Sequence, residues 1–104
     1  MRTKNRLKVT PSTGNVFRDL GFPPEEAEHL LIRADLMIEL QRRIDAKGMS
    51  QAAAAKRLRV TQPRISDLLR GRIDLFSTDA LIDMLARLGV RVRVLVKPPR
   101  PKVA

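Results

Sequence analysis

Two short helical segments separated by three residues constrain the fold of this chain more than any other feature. Ser50 can cap a helix over Gln51–Leu58, because its hydroxyl can accept a hydrogen bond from a free amide of the first turn. Thr61 can cap a second helix over Gln62–Arg70 in the same way, and Gly71 suits its end. A linker this short makes the two helices cross and leaves the outer face of the second helix exposed.

The side chains of both segments suit such a crossing. Ala55 is small enough for close approach of the two helices, and Val60, Ile65 and Leu68 supply an apolar wedge beneath the second helix. The opposite face of the second helix is polar and carries Gln62, Arg64, Ser66, Asp67 and Arg70. This arrangement predicts a helix-turn-helix whose second helix can enter a major groove. A plain helical hairpin in an all-α core is the alternative.

The charge of the chain favours a polyanionic partner. Lys and Arg total 21 against 11 Asp and Glu, which gives a net charge of +10, and six basic residues but only one acidic residue lie between Ser50 and Arg72. Such a surplus promotes binding through the release of condensed counterions, although it also fits a solvated basic surface. With three Phe and no Trp or Tyr, binding by aromatic stacking is disfavoured.

We therefore expect base reading by polar side chains of the second helix. Gln62 can bond adenine through two hydrogen bonds, Arg64 can bond guanine, and Asp67 can reject wrong partners. Phosphate contacts are expected from the amide-rich start of the first helix and from the basic side chains around the turn. The expected phosphate-binding residues are Gln51, Lys56, Arg59, Arg70 and Arg72.

The rest of the chain predicts a mainly α bundle of four to five helices in one domain over residues 16–97. A long helical pattern over Glu25–Lys47 follows a Pro-Pro pair and ends at a glycine. A last helix is predicted over Thr78–Leu88, capped by Ser77. The stretch Val16–Phe22 is too short to fold alone and exposes two Phe unless another surface covers them.

In residues 90–96 the spacing of apolar residues changes from the helical period to every second residue, which predicts one C-terminal β-strand. A lone strand has unpaired backbone groups at both edges, so the simplest partner is the same strand of a second copy in a two-fold dimer. The side chains expected at this dimer strand are Val90, Val92, Val94 and Val96. Pairing with a different protein or with the N-terminal arm is the alternative.

The two ends and the remaining residues predict no chemistry. Residues 1–15 read as a flexible basic arm and residues 98–104 as a disordered tail. The chain has no Cys and one His, and no nucleophile lies beside a base, so we expect no enzyme, metal or cofactor. No membrane-spanning run or secretory signal is present in the sequence, which favours a cytoplasmic protein.

The helix-turn-helix segment also resembles a known family. Gln51, Ala55, Val60, residues 61–63, residues 65–66 and Gly71 match the phage-repressor-like pattern of the XRE group. Further similarity at residues 15–21, 69–71 and 76–77 and at the turn at 88–89 resembles a subgroup that includes HigA-type antitoxins encoded beside RelE-like toxins. The XRE pattern usually has glycine where this chain has Arg59, because the backbone there tends to be left-handed.

The resemblance implies operator binding as a dimer. It implies that Gln62, Pro63, Ser66 and Asp67 face bases while Gln51 contacts a phosphate. The leading hypothesis is a homodimeric transcriptional regulator, acting as a repressor, that binds double-stranded DNA at a palindromic operator. An antitoxin that neutralises a RelE-like toxin and autoregulates its operon is the second hypothesis. An RNA-binding or nucleoid-associated protein without sequence preference is the third.

Overall fold

The computed structural model describes residues 15–99, and these residues form a mainly helical bundle. Nearly all of the predicted arm lies outside the described residues, as does the predicted tail from residue 100 onward. The described elements are α1 (Val16–Asp19), α2 (Pro24–Ala46), α3 (Gln51–Leu58), α4 (Gln62–Leu69), a 3-10 turn (Ile73–Leu75) and α5 (Thr78–Arg87). The predicted helices are therefore confirmed, with boundaries that differ by one residue.

Hydroxyl caps begin the three short helices, as predicted. Ser50 Oγ accepts a hydrogen bond from the Ala53 amide at 3.1 Å, and Ser77 Oγ accepts one from the Ala80 amide at the same distance. Thr61 Oγ1 accepts a hydrogen bond from the Arg64 amide at 3.3 Å. Each cap satisfies one of the amides that the first turn of a helix leaves without a partner.

The core lies between the second half of α2 and the helices α3, α4 and α5. It contains the completely buried side chains of Leu40, Ala54, Leu58, Ile65, Leu68, Leu81 and Leu85, with Phe76 almost completely buried beside them. Because helices of 8 to 10 residues are marginal on their own, this shared burial is what holds α3, α4 and α5 in place.

Helix α1 packs on the first half of α2, outside this core. Asn15 Nδ2 donates a hydrogen bond to the Ala27 carbonyl at 2.9 Å, and the rings of Phe17 and Phe22 meet edge to face with centroids 6.2 Å apart. The two Phe of the Val16–Phe22 stretch thus partly cover each other. None of the residues of α1 is fully buried.

The prediction of a C-terminal strand is wrong for the single chain, since the described residues 90–99 contain no strand. The Val90 amide donates to the Leu85 carbonyl at 3.0 Å, and Val90 and Val92 pack against the core. Val94 and Val96 are 81% and 85% exposed. Alternation by two describes side-chain spacing only, whereas a strand also needs a hydrogen-bonded neighbour, and residues 15–99 offer none here.

The Thr61 cap predicts a measurable loss of stability on truncation. Thr61→Ala should lower the free energy of unfolding by about 1 kcal/mol, because the Arg64 amide loses its acceptor. Urea denaturation followed by circular dichroism measures this change. Thr61→Ser keeps the hydroxyl and serves as the control, and equal stability of the alanine and serine variants would contradict the assigned cap.

Candidate nucleic-acid interface

Helices α3 and α4 are joined by Arg59, Val60 and Thr61, as predicted. Arg59 has φ 61° and ψ 43°, which is the left-handed conformation expected at this turn position. Its amide donates to the Lys56 carbonyl, and the Val60 amide donates to the Ala55 carbonyl at 3.0 Å. These bonds close the last turn of α3 and reverse the chain into α4.

The inner face of this unit is apolar, also as predicted. Ile65 and Leu68 are completely buried under α4, and Ala55 is 8% exposed on α3. Val60 is half-buried and packs against the same core. The predicted wedge of Val60, Ile65 and Leu68 is therefore confirmed, and it turns the other face of α4 outward.

Most of the predicted contact residues lie on accessible surface. On α4 and at its end, Gln62, Pro63 and Arg70 are exposed, and Ser66 and Asp67 are half-buried. Gln51 and Gln62 are each the first residue of their helix, where the positive end of the dipole favours an anion. At the start of α4, however, Pro63 has no amide hydrogen and the Arg64 amide is already bonded to Thr61. The two glutamines therefore occupy positions suited to phosphate or base-edge contacts.

The basic side chains fall into two groups. Lys56, Arg57 and Arg59 are exposed, and none forms an ion pair with another of the described residues. By contrast, Arg70 Nη2 lies 3.5 Å from Asp67 Oδ1, and Arg72 Nε lies 4.0 Å from an Asp74 oxygen. Ion pairs this exposed are weak, so both arginines remain available to a phosphate.

Arg64 is placed differently from the other predicted base-reading residues. Its guanidinium lies 4.0 Å from the centre of the Phe76 ring, and its Nη1 donates to the Leu75 carbonyl at 2.6 Å. The side chain therefore points along the flank of α4 toward the start of α5. A cation–π contact is worth about 0.5–1 kcal/mol at an exposed site and a charge-assisted hydrogen bond about 1.5–3 kcal/mol. Turning Arg64 toward a base would forfeit both contacts.

Sequence reasoning missed three side chains that hold the unit. Gln41 Nε2 donates to the Leu68 carbonyl at 2.8 Å, which ties α2 to the last turn of α4. Arg87 Nη1 donates to the Leu58 carbonyl at 2.9 Å, and Arg57 Nε donates to the Arg87 carbonyl at 3.3 Å. The two partners of each bond are 27 to 30 residues apart, so no local sequence pattern indicates the contact. The one available sign was the basic residues in the last turns of α3 and α5, which can donate to carbonyls at helix ends.

None of the helices between residues 15 and 99 has the length and apolar character needed to span a membrane. Across the same range, no three His, Asp or Glu side chains are grouped so that they could hold a metal ion.

Comparison with known proteins agrees with this geometry. Residues 16–97 match the family model described as a helix-turn-helix domain. A solved structure that carries the provisional name of an XRE family transcriptional regulator is 36% identical, with a TM-score of 0.68 over 76% of this chain and 90% of that chain. The chain therefore belongs to the helix-turn-helix domain family and, within it, to the XRE group. No curated protein matches the sequence.

The left-handed turn predicts that a glycine would stabilise the fold. Relief of strain at Arg59 is worth roughly 1–2 kcal/mol, and the added flexibility of unfolded glycine costs roughly 0.5–1 kcal/mol. Arg59→Gly should therefore raise the free energy of unfolding by up to about 1.5 kcal/mol, measured by thermal and urea denaturation. Arg59→Ala keeps the strained conformation and is the matched control. A glycine variant no more stable than the alanine variant would refute the prediction.

Proposed function

We propose that this protein is a sequence-specific DNA-binding transcriptional regulator whose helix α4 lies in a major groove. The observation that carries the proposal is the two-sided character of α4, with Ile65 and Leu68 buried beneath it and Gln62, Ser66 and Asp67 on its remaining surface. A helix anchored in this way can present side chains to base edges without losing its core contacts. Membership of the XRE group supports the same function.

Base recognition is assigned to the outer face of α4. Gln62, at the helix start, is suited to a bidentate contact with adenine, and Pro63 offers an apolar surface of the kind that contacts a thymine methyl group. Ser66 follows one turn later, and Asp67, held by Arg70, accepts from cytosine or excludes other bases. Phosphate contacts are assigned to Gln51, Lys56, Arg59, Arg70 and Arg72.

Binding as a homodimer to a palindromic operator extends this proposal. Val90 and Val92 fix the C-terminal segment to the core, whereas Val94, Leu95 and Val96 are 78% to 85% exposed. Consecutive apolar side chains this exposed mark an interaction surface. We assign the segment to contact with the same segment of a second copy. The dimer would present two α4 helices about 34 Å apart, one turn of DNA between half-sites.

Sedimentation equilibrium tests the dimer. Replacing Val94 and Val96 together by Asn should weaken dimerisation at least about tenfold, because the interface no longer buries two apolar side chains from each copy. Arg93→Asn changes an exposed polar neighbour and should leave the dimer intact. A wild-type chain that remains monomeric at micromolar concentration would rule out this interface.

Specific recognition is tested on DNA selected from a random library. Gln62→Ala should cost about 1–3 kcal/mol on the selected site and much less on random DNA, because only base-edge contacts distinguish the two. Gel shifts with specific and random competitors measure the ratio. The control is Arg18→Gln, which changes an exposed side chain of α1. The cap of α1, Asn15, bonds to Ala27, and Ala27 lies about 21 Å along α2 from Gln41, which contacts α4. Equal losses of affinity on both DNAs would contradict the base-reading role of Gln62.

Phosphate contacts predict a different response. Lys56→Gln should weaken binding to selected and random DNA alike, and should reduce the slope of log K against log salt by about 1. With about five such contacts the wild-type slope should lie near −4 to −5. Titrations between low and moderate salt measure the slope, and Arg18→Gln should leave it unchanged. A Lys56→Gln slope equal to that of the wild type would remove this residue from the interface.

An antitoxin role is the second candidate, and the surface at the α1 end of the molecule favours it. Val16, Leu20 and Phe22 are 39% to 69% exposed. Acidic side chains border them in the sequence, namely Asp19, Glu25, Glu26 and Glu28. An apolar patch with acidic neighbours suits a basic protein such as a RelE-like toxin, and it lies away from α3 and α4.

Coexpression with the product of the neighbouring gene tests this second role. Stable copurification that is lost in Leu20→Asp and retained in Gln62→Ala would support it, because the two surfaces are separate. A monodisperse homodimer that binds no neighbouring gene product would count against it.

A further inference from the structure

The orientation of α4 depends on more than its apolar face. Helix α4 packs most extensively on α3, to which the three-residue turn joins it, and less extensively on α2. Burial of Ile65 and Leu68 holds the helix down but is non-directional. Directional contacts are therefore needed to fix how α4 is tilted relative to α2 and α5.

Arg64 supplies one directional contact near the start of α4. A planar guanidinium that stacks on the Phe76 ring and also donates to the Leu75 carbonyl has little rotational freedom left. The ring itself is fixed, because Phe76 is 1% exposed and belongs to the core. The link therefore runs from the first turn of α4 to the residues that precede α5.

Gln41 supplies a second directional contact near the end of α4. Its side-chain amide donates to the Leu68 carbonyl at 2.8 Å, in the last turn of α4, and the same carbonyl also accepts from the Gly71 amide at 3.1 Å. Gln41 lies on α2 directly after Leu40, which is completely buried in the core, so the backbone that carries Gln41 is fixed. The two links join α4 to two different elements at its two ends.

We infer that Arg64 and Gln41 are positioning residues that set the tilt of α4 for base recognition, and that Arg64 does not read a base. The inference rests on the proposed function and deepens it. Gln62, Pro63, Ser66 and Asp67 share one rigid helix, so a change in its tilt displaces all of them from the base edges together. Phosphate contacts carry no direct sequence information, so a change in tilt should affect the affinity for random DNA less.

Three variants of the two linking residues, together with Phe76→Leu for comparison, test the inference in the full chain. Arg64→Met and Gln41→Met keep much of the side-chain volume but remove the donors, and Arg64→Lys keeps a cation near the Phe76 ring. For each, affinity is measured for the selected DNA, for its single-base variants and for random DNA. The temperature is kept where circular dichroism shows every variant fully folded.

We expect Arg64→Met and Gln41→Met to lower the ratio of specific to random affinity about fivefold to twentyfold, the scale of one lost hydrogen bond. The loss should be shared by every position of the site, and the preferred base at each position should not change. Arg64→Lys should recover part of the ratio. Phe76→Leu should also lower the ratio, and the double variant with Arg64→Met should lose less than the sum of the two single losses. Both substitutions remove the same contact, that of Arg64 with the Phe76 ring.

The opposing results are distinct. A changed base preference at a single position in Arg64→Met would make Arg64 a base reader and overturn the inference. An unchanged ratio in folded Arg64→Met and Gln41→Met, with only the midpoint of unfolding lowered, would leave the two contacts a structural role and also overturn it. A wild-type protein that prefers no DNA over random sequence would refute the proposed function, and the positioning role with it.

Discussion

The burial of one face of α4 is the constraint on which the rest of the interface depends. An isolated helix of eight residues is unstable in water, so α4 exists because Ile65 and Leu68 lie under it against α2 and α3. Full burial of each such side chain contributes about 1.5–3 kcal/mol. The alanines of α3 matter here, because Ala54 and Ala55 let the two helices approach closely enough to exclude water. The opposite face of α4, with Gln62, Ser66 and Asp67, is thereby left accessible.

Charge is distributed unevenly between the α1 surface and the α3–α4 surface. Residues 16–35, in α1 and the first half of α2, contain five acidic residues and two arginines, whereas residues 51–72 contain six basic residues and one acidic residue. Among the described residues, the α3–α4 surface therefore attracts a polyanion more strongly than the α1 surface does.

Local features of the fold were predictable because their physical causes are local. The caps at Ser50, Thr61 and Ser77 follow from residues within one turn of each other, and the buried wedge follows from the helical period. The left-handed turn at Arg59 was expected from the family resemblance instead. The contacts of Arg64 with Phe76 and of Gln41 with Leu68 could not be predicted in this way, since their partners lie 11 to 27 residues away along the chain. The predicted strand failed for a related reason, because strand formation depends on a neighbour that the alternating pattern cannot specify.

Taken by itself, the helix-turn-helix segment over residues 50–71 determined which side chains of α4 face inward and which face outward, because the period of a helix and the positions of its caps are written in adjacent residues. Only the tertiary structure decided what each outward or flanking polar group contacts. It placed Arg64 on Phe76 rather than on the outer face, tied Gln41 to the Leu68 carbonyl, and left Lys56 and Arg59 exposed. Long flexible side chains reach several alternative partners from one backbone position, so the packing of distant elements selects among them.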